Sequence, residues 1–308
     1  MPGFVALATW LLSGEAWAHQ GIAPILEVTD YSQLPDAPPG VWMDLSVHPS
    51  TVIGCALMAA FYLYAVGPLR EKRGWAPSVS RRHIACFLGS MGVILLSLNG
   101  PIHHLSDNYL FSMHMVQHLL LTLVVPYLFI LGLPGWLVEG LLGDGVLKAL
   151  ARAATRPVPA FLVYNMVLVI WHMPRFYDHT MESHPIHITE HLMFMVTAVV
   201  CWWPILGEAP SLKSLGMFGK MAYLFLLGLP MKALGAFITV APDVLYSWYA
   251  HVPRVWGLDP IADQRLGGVI MWVPAGIVIW GSIGVMFVRW YRAETRGSAA
   301  PALSGSRS

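Results

Sequence analysis

The sequence is poor in charge, because only 11% of its 308 residues are Asp, Glu, Lys or Arg while 56% are hydrophobic. A soluble domain usually carries about a quarter charged residues. The deficit excludes an ordinary water-exposed surface and is explained if much of the surface faces lipid. We therefore expect a lipid bilayer around the protein, and no nucleic acid as a partner.

Cysteine is also scarce, with three residues and no C-x-x-C motif. This spacing argues against a disulfide framework, a thiolate zinc site and covalently attached c-type haem. Cys55, Cys86 and Cys201 all fall in apolar stretches. We interpret them as small buried hydrophobic residues.

Long apolar runs dominate the rest of the sequence. A helix needs roughly 20 apolar residues to cross a bilayer, and the connections between the runs are too short to hold a second domain. The sequence predicts an all-α polytopic domain over residues 45–290 with seven transmembrane helices, at 47–66, 84–102, 111–132, 158–173, 186–206, 217–240 and 266–288.

The two ends of the chain differ from this domain. Residues 1–18 form a short apolar run that ends in "AWA", a small-x-small pattern typical of a cleaved signal peptide. Cleavage there would make His19 the first residue of a periplasmic segment, 19–44, and its amine and imidazole could then chelate a metal ion. The tail at 291–308 is predicted to be disordered and cytoplasmic.

Basic residues predict the orientation. Of the 18 Lys and Arg residues, 14 lie in connections of one side or in the C-terminal tail, and that side should be the cytoplasm. The N-terminus is then outside and the C-terminus inside a bacterial inner membrane. This topology puts 12 of the 13 histidines at the outer face, with His83 alone near the cytoplasm.

Two helices are predicted to bring paired histidines to one level of the membrane. "HPIHITEH" (184–191) carries His187 and His191, which lie four residues apart and so share a helix face. His114 and His118 have the same spacing in "FSMHMVQHLLL" (111–121), at the same depth. Glu190 could orient an imidazole or bind metal.

Two further helix ends deliver imidazoles to this level, carrying His103 and His104 in one case and His172 beside Met173 in the other. Ionisable groups in membrane spans are costly and tend to face a functional interior. Imidazole with thioether suits copper. We therefore predict a copper site at the outer face, with Met173 as an auxiliary ligand.

Other interpretations remain open. "HITEH" matches the H-x-x-E-H pattern of a zinc hydrolase, and facing histidines could hold a non-covalent haem, so a metal- or haem-dependent membrane oxidoreductase or hydrolase is the alternative. Lys232 lies within a predicted span and is a functional candidate on that ground alone.

An ordered set of motifs resembles a known family. The motifs are "HMVQHLLL" (114–121), "WHMP" (171–174), "HITEHLMF" (187–194), "WWP" (202–204) and "DQRLGGVIMW" (263–272). In this order, over residues 45–290, the chain resembles the CtaG family of multi-pass cytochrome c oxidase assembly proteins, tied to caa-type oxidases. The resemblance does not extend to residues 19–44 or to Lys232.

The resemblance implies a role in forming the copper site of a haem–copper oxidase. Oxidase subunits and a copper donor would be the partners, and the protein would be an assembly factor or metallochaperone and not an enzyme. The functional positions that it implies are His114, His118, His172, His187, Glu190, His191, Asp263 and Gln264.

Overall fold

The computed structural model describes residues 34–298 and is helical throughout this region. No strand occurs within it, and the only β-pairing among these residues is an isolated bridge between Asp36 and Arg254. The predicted signal peptide, His19 and the last ten residues of the tail lie outside the described residues. Those interpretations stay predictions.

Twelve helices are named here in chain order. They are α1 (Pro49–Arg73, with a π-helical turn at Ala65–Leu69), α2 (Arg81–Ser97), α3 (Gly100–Asn108), α4 (Phe111–Leu131, with a π-helical turn at Leu120–Val124), α5 (Gly135–Leu142), α6 (Val146–Ala154), α7 (Pro157–Trp171), α8 (Pro174–Glu182), α9 (His184–Leu206), α10 (Met217–Val240), α11 (Ser247–His251) and α12 (Pro260–Ser298).

Five of these helices are long and apolar enough to cross a membrane, namely α1, α4, α9, α10 and α12. Two bent pairs, α2 with α3 and α6 with α7, raise the number of spans to seven if each pair counts as one. The predicted all-α membrane fold is therefore confirmed with five to seven spans. The predicted apolar stretches coincide with these helices and pairs.

The bend between α2 and α3 turns the chain by 43° just before His103 and His104. Asn99 Nδ2 donates to the carbonyl of Leu95, and its own Oδ1 accepts from the backbone of His48. Gly100 follows with a φ of +62°, a left-handed conformation that glycine adopts without a steric penalty. After the bend, α3 packs against α4 and brings His103 beside Gln117.

Close backbone contact joins α10 to α12. A Cβ atom added at Gly268 would lie 2.9 Å from the carbonyl oxygen of Gly235 and 2.8 Å from the backbone nitrogen of Thr239. The preceding residue, Gly267, is covered by the ring of Phe111 from α4. Small residues at such crossings let membrane helices approach closely. The contact of Phe111 with Gly267 therefore determines how α4 lies against α12.

We predict that Gly268→Ala destabilises the protein by about 1–3 kcal/mol, because backbone atoms of α10 cannot yield to the added methyl group. Thermal unfolding of the purified protein in detergent measures this loss. Gly281→Ala is the matched control, since the same helix has no atom within 4 Å of that Cβ position. Equal melting temperatures for the two variants would contradict the close approach.

Candidate metal centre

The histidine pairs of α4 and α9 face each other. His114 from α4 and His187, Glu190 and His191 from α9 each offer one ligand atom, and these four atoms lie within 4.8 Å of one another. All four side chains are buried. The i, i+4 spacing puts each pair on one face of its helix, and the packing of α4 beside α9 brings the two faces together.

His118 lies directly beside this group. Its Nε2 atom is 2.8 Å from His114 Nε2 and 3.5 Å from Glu190 Oε1. Nitrogen atoms bind a zinc ion at about 2.0 Å in tetrahedral geometry, so two ligands of one ion stand about 3.3 Å apart. The 2.8 Å between His114 and His118 is a hydrogen-bond distance, and ligation of one ion by both rings requires the nitrogens to separate by about 0.5 Å.

The carboxylate of Glu190 is fully buried and makes no ordinary hydrogen bond with the residues that the structure describes. Two imidazole nitrogens lie near it, His118 Nε2 at 3.5 Å and His187 Nε2 at 3.9 Å, and the side chain of Thr180 is a further polar neighbour. Burying a charge without a close partner costs several kcal/mol. A cation among these groups would remove that cost, so the residues fit a bound metal ion.

His172, at the end of α7, lies next to His118 and extends the group of imidazoles. Its Nδ1 lies 2.8 Å from the carbonyl oxygen of Leu168, which can only accept, so the ring proton is on Nδ1. Nε2 then carries a lone pair, and the ring centroid is 5.8 Å from that of His118. The tautomer leaves His172 able to act as a ligand or as a hydrogen-bond acceptor.

A small cavity of about 10 Å³ adjoins His118 and His172. Its lining includes three methionines, Met115, Met231 and Met271. Met173, the methionine selected from the sequence, is instead 49% exposed and the structure does not bring it into this group. The three thioether side chains come from α4, α10 and α12, so their convergence depends on tertiary packing.

Asp107 and Gln117 contact the imidazoles of His103 and His187. Asp107 Oδ2 lies 3.3 Å from His103 Nε2 and 3.6 Å from His187 Nδ1. Gln117 Nε2 lies 3.1 Å from His103 Nδ1 and donates to the carbonyl of Ser97. Such outer partners fix the tautomer and orientation of ligating imidazoles. The i, i+4 spacing of His103 and Asp107 was the sequence signal for this pair.

The connection between α10 and α12 covers the site. Tyr249 donates its hydroxyl to the carbonyl of Ser106, and the same oxygen lies 3.4 Å from His114 Nδ1. Trp248 Nε1 donates to the carbonyl of Asp107. Burial raises the pKa of Tyr249 well above its usual value, so the phenol stays neutral. This connection therefore holds His114 and the α3 end of the site in position.

A row of imidazoles leads outward from the buried group. The ring centroids of His187 and His103 are 6.4 Å apart, and those of His103 and His48 are 4.4 Å apart. His184 follows at 6.0 Å from His48. Burial, and next the neighbouring His103, lower the pKa of His48 to about 4, so its ring is neutral at physiological pH. His48 and His184 are both half-buried.

Several residues selected from the sequence lie elsewhere. His104 pairs with Asp44 at 3.6 Å, away from the buried group. Asp263 accepts from the backbone of Phe111 and Ser112, and so caps the first turn of α4. Gln264 bonds the backbone of Leu245 and Asp243, which fixes the covering connection. These two residues act on the site through the helix and the connection that they hold.

Lys232 is a separate feature within the bundle. Its Nζ lies 5.2 Å from the centre of the Trp280 ring, between α10 and α12. A cation over an aromatic face is stabilised by the ring quadrupole, which gives this charge a partner within the membrane domain. The structure does not bring Lys232 to the histidines.

Comparison with known proteins agrees with the motif order. The chain is 27% identical over 264 residues to uncharacterized proteins of Mycobacterium bovis and Mycobacterium tuberculosis, and 23% identical over 263 residues to one of Mycobacterium leprae. These matches cover 80% of this chain but only 39–40% of the relatives, so the chain spans less than half of their length. No solved structure matches the chain.

One family model matches residues 60–293, which includes α4, α7, α9 and α10 entirely and most of α12. The family is described as the cytochrome c oxidase caa3 assembly factor, and its matched region contains the whole buried group. The chain therefore belongs to the cytochrome c oxidase caa3 assembly factor family, Caa3_CtaG.

Proposed function

We propose that the protein assists cytochrome c oxidase assembly by binding copper among His114, His118, His187, Glu190 and His191 and delivering it to an oxidase subunit. The family supports the assembly role. The observation that carries the metal proposal is the buried Glu190 carboxylate, which lies beside three imidazoles whose ligand atoms and its own fall within 4.8 Å.

The chemistry of the donors favours copper. Imidazole nitrogens bind Cu, Zn, Fe and Ni, whereas thioether sulfur is a soft donor that favours Cu(I). The cavity beside His118 and His172 has Met115, Met231 and Met271 in its wall. A buried imidazole group next to thioethers suits a protein that must hold copper and then release it.

Half-buried His48 and His184 give the copper ion a route to the buried ligands. From this pair the imidazole centroids follow at 4.4 Å, 6.4 Å and 5.5 Å through His103 and His187 to His114. Each step is short enough for an ion to be passed between neighbouring rings as side chains rotate. Asp107 adds an anionic group midway, which attracts a cation inward.

The site would face the outer compartment. The basic residues of the cytoplasmic connections support this orientation, since 14 of the 18 lie on the opposite side from the paired histidines. The oxidase copper donor and target subunit would then meet the protein outside the cytoplasm. The family role also favours an assembly factor over the oxidoreductase or hydrolase alternative.

We predict that His118→Ala and His191→Ala each weaken copper binding by about 100-fold or more, because each removes an imidazole from the buried group, and that both lower oxidase activity in cells. Elemental analysis of the purified proteins gives the copper content, and an absorption spectrum detects haem as a Soret band. The parent should hold copper and no haem.

Two histidines outside the group serve as controls for that experiment. His83 pairs with Glu208 at 3.9 Å, at the other end of the bundle, and His179 is exposed beside Glu182. His83→Ala and His179→Ala should bind copper like the parent. If His118→Ala and His191→Ala bind copper as tightly as these controls, the paired histidines are packing groups and the proposal is wrong.

We predict that the double variant His48→Ala/His184→Ala loads copper about tenfold more slowly than the parent but reaches the same stoichiometry. The variant removes the half-buried entry pair and leaves the buried ligands intact. Stopped-flow mixing with a chelated copper donor measures the rate, and dialysis against copper measures the final content. Unchanged loading rates would rule out the route, whereas a parent without copper would rule out the site itself.

For orientation, we predict that reporter domains fused after Arg82, after Arg156 and after the last residue report the cytoplasm. Fusions near Asp107 and Glu182 should report the outer compartment. The reason is the concentration of Lys and Arg on one side of the spans. An outer C-terminus would contradict the proposed position of the copper site.

A further inference from the structure

A second polar region lies at the opposite end of α7 from His172. There the corner between α6 and α7 and the segment that follows α9 border an open cavity of about 560 Å³. Its lining contains the basic side chains of Arg152, Arg156 and Lys213 and the hydroxyl-bearing residues Thr155 and Ser211. Because α7 has 15 residues, this cavity and the metal centre stand about 22 Å apart.

The three cations of this cavity are exposed side chains. Among the described residues, Arg152, Arg156 and Lys213 form no ion pair, and Arg152 Nε donates only to the carbonyl of Ser211. The nearest carboxylate along these contacts, Glu139, accepts from the Ser211 backbone and pairs with Lys148 at 3.1 Å. The cavity therefore attracts an anion, and the anion must be held by side chains, since prolines at 157 and 159 remove two of the first N–H groups of α7.

The surroundings of the cavity indicate that this anion carries hydrocarbon. The helices α6 and α7 meet at 72°, so α6 runs along the membrane surface if α7 crosses it. Val146, Leu147 and Leu150 of α6 are 58–76% exposed, and Val158 and Leu162 of α7 are 67% and 58% exposed. An in-plane helix with apolar residues on one face and Lys148 and Arg152 on the other is typical of the headgroup region of a bilayer.

We propose that this cavity binds the phosphate headgroup of an anionic phospholipid, with its acyl chains lying along the exposed apolar side chains of α6 and α7. Basic pockets between transmembrane helices on the cytoplasmic side commonly bind anionic headgroups. The bound lipid would hold the α6–α7 corner, and therefore the span that ends at His172, at a fixed depth. This site is separate from the copper centre and uses none of its residues.

The test is native mass spectrometry of the delipidated full-length protein titrated with phosphatidylglycerol or phosphatidylcholine. We expect one phosphatidylglycerol to bind the parent and phosphatidylcholine to bind at least tenfold more weakly. In the triple variant Arg152→Gln/Arg156→Gln/Lys213→Gln, phosphatidylglycerol binding should weaken roughly 100-fold, since each of the three cations near an anionic headgroup is worth about a factor of five.

A charge-matched variant controls for net charge. Arg81→Gln/Arg289→Gln/Arg292→Gln removes three exposed cations that are predicted to lie on the same membrane face and that do not line the cavity. This variant should bind phosphatidylglycerol like the parent, and Arg152→Lys/Arg156→Lys, which keeps the charge, should retain most of the binding. Circular dichroism and gel filtration identify any variant that fails to fold, and the Lys variant then carries the comparison.

Two results would overturn the proposal. One is equal binding of phosphatidylglycerol by the parent and a folded triple Gln variant. The other is displacement of the bound lipid by millimolar inorganic phosphate, which would mean that the cavity takes a soluble anion without need of acyl chains. Neither result depends on copper, so the outcome is independent of the proposed function.

Discussion

The arrangement of the histidines at the candidate metal centre depends most on one buried carboxylate, that of Glu190. Glu190 is fully enclosed in the second turn of α9, where it is shielded from water and an uncompensated charge is expensive. Imidazoles from α4 and α9 lie next to the carboxylate, with His118 Nε2 at 3.5 Å and His187 Nε2 at 3.9 Å. Neutral imidazoles and a carboxylate in this arrangement form a set of donors that a metal cation completes, which is why we interpret the group as a binding site.

The rest of the bundle holds that group in register. Asp263 of α12 caps the first turn of α4, so the helix that carries His114 and His118 is fixed to a distant part of the chain. Gly267 and Gly268 bring α12 close enough to α4 and α10 for this contact to form. Tyr249 closes the outer side. In metal sites, contacts of this kind around the ligating side chains fix the orientation of those side chains.

The paired histidines could be selected from the sequence because the properties that single them out are local. Four-residue spacing fixes a shared helix face, and position within an apolar run fixes depth. That the face of His114 and His118 meets the face of His187 and His191 depends on the packing of α4 beside α9. Asp107 shares an i, i+4 helix face with His103 and could have been selected from that spacing, but Gln117, Tyr249 and Met115 could not be selected in this way. Their contacts follow from the bend at Gly100, the covering connection and the packing of separate helices, and sequence spacing does not determine these. Met173 was selected because it follows His172 in the chain. Its side chain is exposed, so adjacency in sequence did not predict a place beside the imidazoles.

Counting the imidazole ligands of the bound copper ion tests the central claim most directly. Copper K-edge X-ray absorption of the purified protein, loaded with one equivalent of copper, reports the number of imidazoles from the multiple scattering of their rings. Binding in the buried group predicts at least two, and typically three, imidazole ligands with nitrogen or oxygen at about 2.0 Å, a distance taken from other imidazole–metal sites. A copper ion without imidazole scattering, or a protein that takes up no copper, would contradict the account.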